Sequence, residues 1–163
     1  MRGLLILVGE SFRTGGQGSR IRGKISSLHE QELASYSHID FIKYLKKEKN
    51  IDTEVFVTTY HTRYDKRIKK IYNNYLVGNG FFDRPMGLHG LYNETMKKVK
   101  KERYEFIFMI RVDLFLKPYF FKKFEIWDKI MYPCICWTLH NKDHMFKSFP
   151  RVNDMMLYIP KKF

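Results

Sequence analysis

Residues 4–10 read Leu4-Leu5-Ile6-Leu7-Val8-Gly9-Glu10. Five apolar residues run without alternation, and a glycine and an acid stop them. A strand with one wet face alternates apolar and polar residues. An unbroken run this short suits a central parallel strand covered on both faces. The expected fold class is therefore α/β, an open and mostly parallel sheet flanked by helices.

The rest of the chain fits that frame. A polar, glycine-rich stretch follows over residues 9–23. Ser26–Lys49 then carries Leu28, Leu33, Ile39, Phe41, Ile42 and Leu45 near helical spacing, and lysines close its end. Ser37-His38 interrupts this pattern as a possible cap. Asp52–Tyr60, with Val55, Phe56 and Val57, predicts a second strand. Residues 63–76 predict a second helix, with Ile68, Ile71, Tyr72 and Tyr75 on one face. Residues 78–90, with Gly78, Gly80, Gly87, Gly90 and Pro85, predict a long loop. Further expectations are a helix over 91–103, a strand over 106–110, a short helix over 120–127, a strand over 134–139, a polar loop over 140–150 and a strand over 155–159. Alternating strands and helices, then strands, point to a sheet that is parallel in its first part.

A chain of 163 residues accommodates one domain with a real core, spanning 1–163. Its end just after a predicted strand suggests a longer chain cut at the C-terminus. No apolar run reaches the roughly 20 residues of a membrane span. Gly9, Glu10 and Arg13 after the first run replace the small residues of a signal-peptide cleavage site. Cys134 and Cys136 fall one residue apart in an apolar segment, on opposite faces of a strand, so they read as reduced structural residues of a cytosolic-type protein. The net charge of +13 predicts attraction to anions. Phosphate-bearing ligands, nucleic acid and anionic membrane all satisfy that charge. Its dispersal over several helices, without a recognised binding motif, disfavours nucleic acid.

Three constellations could carry chemistry. The first directly follows the opening strand, where ligands bind in open α/β sheets. There Arg13, Arg20 and Arg22 alternate with Gly15, Gly16, Gly18, Ser19 and Gly23. Backbone N–H groups and guanidinium groups in such a stretch suit a phosphate. Neither the P-loop nor the dinucleotide spacing is present. The second is Arg111-Val112-Asp113 at the end of an apolar strand, which reads either as a ligand-facing acid or as a local ion pair. The third is Arg151-Val152-Asn153-Asp154, where Asp154 is a candidate general base, an acceptor-binding group, or part of a turn. His61, His89, His140 and His144 show no zinc spacing and read as surface or core-edge residues.

Taken together, ESFRTGGQGSRIRG, SYSHIDF, MIRVDLFLKP and PRVNDMMLYIPKKF resemble glycosyltransferases encoded by chloroviruses, the large DNA viruses of algae. The resemblance spans almost the whole chain. It implies a GT-A-like, nucleotide-sugar-binding transferase that builds glycans on viral capsid protein in the host cytoplasm. By position it places Arg13, Gly15, Gly16, Ser19 and Arg20 near the donor. It puts Arg111 and Asp113 where the family carries an acidic Asp-x-Asp metal motif, with Asp113 as the ligand of Mg²⁺ or Mn²⁺. Arg111 departs from that motif, and an arginine there would neutralise a diphosphate directly. The implied partners are a nucleotide sugar and a glycan or glycoprotein acceptor. A sulfotransferase-like or other phosphonucleotide-binding transferase would also want a polar loop after its first strand, but with Lys and Ser/Thr rather than Arg and Gly. A basic nucleic-acid-binding module is the reading from another class.

Overall fold

The computed structural model describes residues 1–11, 26–83, 86–131 and 156–163. In chain order the elements are β1 (Arg2–Val8), α1 (Ser26–Lys49), β2 (Asp52–Tyr60), α2 (Asp65–Tyr72), β3 (Leu76–Phe82), α3 (Gly87–Lys98), β4 (Phe106–Arg111), α4 (Pro118–Lys123) and β5 (Met156–Pro160). The strands form one sheet in the order β3-β2-β1-β4-β5. The first four are mutually parallel, and β5 runs antiparallel on the β4 edge. The protein is thus α/β, with a mostly parallel sheet between helices.

The unbroken apolar run of β1 is central, as its composition requires. Leu5 and Leu7 face one layer with Phe41, Ile42 and Leu45 of α1, Ile68 and Tyr72 of α2, and Phe121 of α4. Leu4, Ile6 and Val8 face the opposite layer, where Tyr92 and Met96 of α3 pack. Complete burial of each such side chain is worth roughly 1.5–3 kcal/mol.

α1 matches the sequence expectation at both ends. It closes on Asn50 at φ 51°, with the Ile51 N–H donating to the Leu45 carbonyl at 3.1 Å. That is the left-handed helix ending in which an orphan carbonyl finds a donor. His38 is no cap: it lies inside this helix and is buried.

Elsewhere the boundaries differ. α2 stops at Tyr72 rather than 76, and the expected 78–90 loop begins as β3. Its two glycines lower strand propensity, but Gly78 sits opposite Phe56 of β2, whose ring occupies the place where a Cβ would lie. α3 starts earlier than expected and gives way to extended Val99, followed by a 3-10 turn over Lys101–Arg103. α4 begins at Pro118, the residue best suited to a first helical position, and ends before extended Phe124. The final strand forms as expected. The predicted 134–139 strand, with Cys134 and Cys136, and the 140–150 loop lie outside the described residues.

The Gly–Phe arrangement recurs on the opposite face of the sheet. Gly3 of β1 pairs with Phe106 of β4, and a Cβ on Gly3 would fall 2.4 Å from the Phe106 ring. That ring stacks on Tyr158, 5.4 Å between centroids, and packs on Phe124. Gly3→Ala should therefore cost about 1–3 kcal/mol through overpacking, and Phe106→Leu in the same chain should recover part of the loss. Urea denaturation of the two single variants and the double variant measures this. A Gly3→Ala protein as stable as the parent would show that the ring has room to move.

Candidate functional site

Four parallel strands end at one edge of the sheet. Strand order reverses between β1 and β4, the switch point beside which open α/β sheets bind ligands. β1 delivers Gly9, Glu10 and Ser11 to this edge, and β4 delivers Arg111, Val112 and Asp113. Gly9 takes φ 120°, a conformation that L side chains rarely adopt. Its N–H donates to the Thr58 carbonyl at 3.1 Å, and the Ser11 N–H donates to the Thr59 hydroxyl at 2.9 Å.

The chain beyond β4 is held by polar side chains of α1. The Gln31 amide donates to the Val112 carbonyl at 2.6 Å. The Ser37 hydroxyl accepts from the Leu116 N–H at 2.9 Å and donates to the Ala34 carbonyl at 2.7 Å. The His38 Nε2 lies 2.6 Å from the Leu114 carbonyl, and its Nδ1 lies 2.8 Å from the Tyr72 hydroxyl. A carbonyl only accepts, so Nε2 carries the proton and Nδ1 accepts from the phenol. Gln31, Ser37 and His38 are all buried. Together with the Val112 N–H donating to the Val8 carbonyl at 2.8 Å, they fix the turn that carries Asp113.

Arg111 and Asp113 meet through two parallel bonds, Nε to Oδ1 at 3.0 Å and Nη2 to Oδ2 at 2.9 Å. Both side chains are about three-quarters buried, at 26% and 22% exposure. The ion-pair reading of this motif is therefore the geometry found. A divalent metal held in the Asp-x-Asp manner fits these residues poorly. Each oxygen of the one carboxylate already takes a guanidinium N–H, and the other acidic position is the arginine itself. Among the described residues, no group of three or more His, Cys, Asp or Glu side chains could hold a metal ion.

A second constellation stands at the ends of β2 and β3. His61 continues the ladder, its N–H donating to the Phe82 carbonyl at 2.9 Å. Thr62 and Asp65 then close a reciprocally bonded turn that leads into α2. The Thr62 hydroxyl accepts from the Tyr64 N–H at 3.1 Å, and Asp65 Oδ1 accepts from the Thr62 N–H at 2.8 Å. The other oxygen, Oδ2, accepts from His61 Nδ1 at 2.6 Å. One carboxylate thus holds the turn before α2 and engages a half-exposed histidine. His61 had read as an unremarkable surface histidine. The signal was present as Thr-x-x-Asp, a capping pattern, with a histidine directly before it. Neighbouring strands lie about 4.8 Å apart, so this group stands roughly 10 Å along the edge from the β4 terminus.

Of the residues singled out in the sequence, Arg111 and Asp113 are brought together at the edge. Arg13, Gly15, Gly16, Ser19 and Arg20 lie outside the described residues, as does Asp154. No helix among the described residues is long and apolar enough to cross a membrane.

No family model matches the sequence, and no curated protein matches it. Among solved structures, the chain resembles a protein from Desulfovibrio desulfuricans G20 provisionally named a nucleotide-diphospho-sugar transferase. Identity is 11% and the TM-score is 0.45. The match covers 99% of this chain and 64% of that one, so the present chain spans less than two thirds of its neighbour's length. The α/β assignment rests on the sheet itself.

The His38 contacts have a consequence for pH. Burial brings its imidazole down from the ordinary 6.5 to about 4, against the opposing pull of the Leu114 carbonyl and the Asp113 charge. The unfolded chain binds the extra proton first, so this group destabilises the fold as pH falls from about 6.5 to about 4 and adds no further loss below that. The full effect is about 3 kcal/mol. His38→Gln, which cannot charge, should flatten the pH dependence by that order. Chemical denaturation of both proteins between pH 7 and pH 4 tests this, and parallel curves would show that His38 does not titrate on unfolding.

Proposed function

We propose that the chain is the donor-binding domain of a glycosyltransferase, one that moves a sugar from a nucleoside-diphosphate sugar to a hydroxyl of a glycan or glycoprotein. The observation that carries this reading is the switch point between β1 and β4. There a clamped Arg111–Asp113 pair stands beside the strand that leads directly into the arginine- and glycine-rich segment. Asp113 engages Nε and Nη2 of Arg111. In this reading the Nη1 donors serve an anionic ligand, and the carboxylate orients the guanidinium plane.

In this mechanism Arg111, with Arg13 and Arg20, neutralises the diphosphate, while the N–H groups of Gly15 and Gly16 and the Ser19 hydroxyl bind its oxygens. A carboxylate, for which Asp154 is the sequence candidate, takes the proton of the acceptor hydroxyl. That oxygen then bonds to the anomeric carbon. The bond from that carbon to the diphosphate breaks, and its electron pair leaves with the nucleoside diphosphate. Fixed positive charge around the leaving group supplies the rate enhancement. No step is routed through a metal at Asp113. Viral capsid protein as the acceptor, and the host cytoplasm as the place, rest on the resemblance of the sequence motifs alone.

A thermal-shift panel of nucleotide sugars, nucleoside diphosphates and a mixed oligonucleotide tests the class. A cognate nucleotide sugar at a hundred times its Kd should stabilise by about 2.7 kcal/mol, a rise of roughly 5–10 °C in Tm for a domain this size. Stabilisation by the oligonucleotide alone, lost steeply with salt, would replace this reading with nucleic-acid binding.

The pair itself gives a sharper test. Arg111→Ala should weaken nucleotide-sugar binding by about 1.5–3 kcal/mol, the range for a charge-assisted hydrogen bond. Asp113→Asn should lower affinity less, because the guanidinium remains but loses its orienting charge. If the pair only braces the turn, both variants lower Tm together and leave calorimetric affinity unchanged.

A further inference from the structure

We propose that His61 and Asp83, at the ends of β2 and β3, form a divalent-cation site, with Asp65 as the carboxylate that orients its histidine ligand. This inference goes beyond the transferase reading and does not depend on it.

The histidine is prepared for a metal. Asp65 Oδ2 accepts from Nδ1 at 2.6 Å, so Nε2 is the nitrogen left for a metal. A carboxylate holding the far nitrogen of a histidine is the usual support of a metal-bound imidazole, because it fixes the ring and raises its basicity. Asp65 is itself held, since its other oxygen accepts the Thr62 N–H and lies 3.2 Å from the Thr62 hydroxyl. The ring also packs against Phe81, 5.6 Å between centroids. Its direction is thus set from two sides.

The free nitrogen faces a second ligand. His61 Nε2 lies 3.9 Å from Asp83 Oδ1. Metal–nitrogen and metal–oxygen distances near 2.1 Å at tetrahedral or octahedral angles put two ligands about 3.0–3.4 Å apart. Closing the difference takes a rotation of Asp83, whose side chain is 96% exposed and free to make it. An imidazole with a carboxylate suits a first-row divalent ion such as Mn²⁺ or Zn²⁺. Two protein ligands leave the remaining positions to water or to the oxygens of a bound anion. Asp83 also lines an open groove of about 1010 Å³ beside α3, so such an anion has room to reach the ion.

Mn²⁺ titration of the intact chain, with free ion counted by electron paramagnetic resonance, tests the site. The expected result is one ion bound per chain, with broadening of the His61 ring resonances by the paramagnetic ion. His61→Ala and Asp83→Asn should each lower affinity at least about tenfold, and Asp65→Asn about 10–100-fold. Asp113→Asn should bind as the parent does. His61→Ala keeps the Thr62–Asp65 turn and should fold; an unchanged Tm confirms that its loss of binding is local. Full binding by His61→Ala, loss of binding in Asp113→Asn, or no binding by the parent at about 10 mM Mn²⁺ would each overturn the proposal. None of these outcomes bears on nucleotide-sugar affinity measured without metal, so the two readings fail separately.

Discussion

The turn that carries Asp113 to the carboxyl edge depends on a run of polar side chains inside α1. Gln31, Ser37 and His38 face the sheet side of a helix that otherwise buries Phe41, Ile42 and Leu45. They supply partners to the Val112 carbonyl, the Leu114 carbonyl and the Leu116 N–H. Without them, three backbone groups would be buried unpaired, each at a cost of about 1–3 kcal/mol. Apolar residues at these positions would bury more surface but could not specify where the turn sits. The polar stripe thus exchanges some core for one defined path of the chain from β4 to α4, and Asp113 rides on that path. His38 ties in α2 as well through the Tyr72 phenol, whose own proton burial makes harder to remove.

The sheet achieves its packing by a complementary device. Glycines on β1 and β3 stand opposite phenylalanines on β4 and β2, and each ring covers the strand where a side chain is missing. Phe106 fills one face with Phe41, Phe108, Phe121 and Phe124, while Phe56 fills the other with Tyr104 and Met109. These buried rings thereby lie in two layers around one strand. Many of the described basic residues, by contrast, lie on helix surfaces, where Lys46 meets Asp52 and Arg67 meets Glu32. Such exposed pairs add little stability.

How far the sequence could be read follows from how local each signal is. The β1 run and the lysine-ended α1 were legible because burial on both faces and helical spacing are written within a few residues. β3 was not, because its stability lies in Phe56, twenty-two positions before Gly78, and no local propensity reveals a ring supplied from a neighbouring strand. The early start of α3 was hidden in the same glycine-rich stretch. At the site, the Arg111–Asp113 pair was legible as one of two readings, since residues two apart at a strand end can meet. The clamp from α1 was not, because Ser37 and His38 break apolar spacing and so looked like an interruption of the helix. Their partners, the Leu116 N–H and the Leu114 carbonyl, lie some eighty residues away and are set by topology alone.

Two histidines, His38 and His61, show what separates a structural imidazole from an available one. Both sit beside acids, and both have one nitrogen committed by a short hydrogen bond. In His38 the second nitrogen is also committed, to Tyr72, and the ring is wholly buried. Its pKa near 4 leaves it neutral across ordinary pH, with no lone pair to offer. In His61 the second nitrogen looks toward solvent and an exposed carboxylate, at 51% exposure. Residue type is the same in the two cases, and each has a carboxylate nearby. The saturation of the second nitrogen differs, and it follows from position: inside a helix packed on the sheet for His38, one residue past the last rung of β2 for His61. A parallel sheet ends its strands in such half-covered positions, where the backbone ladder still fixes a side chain's origin but neighbouring strands no longer cover it. Chemistry collects there because rigidity and access coincide.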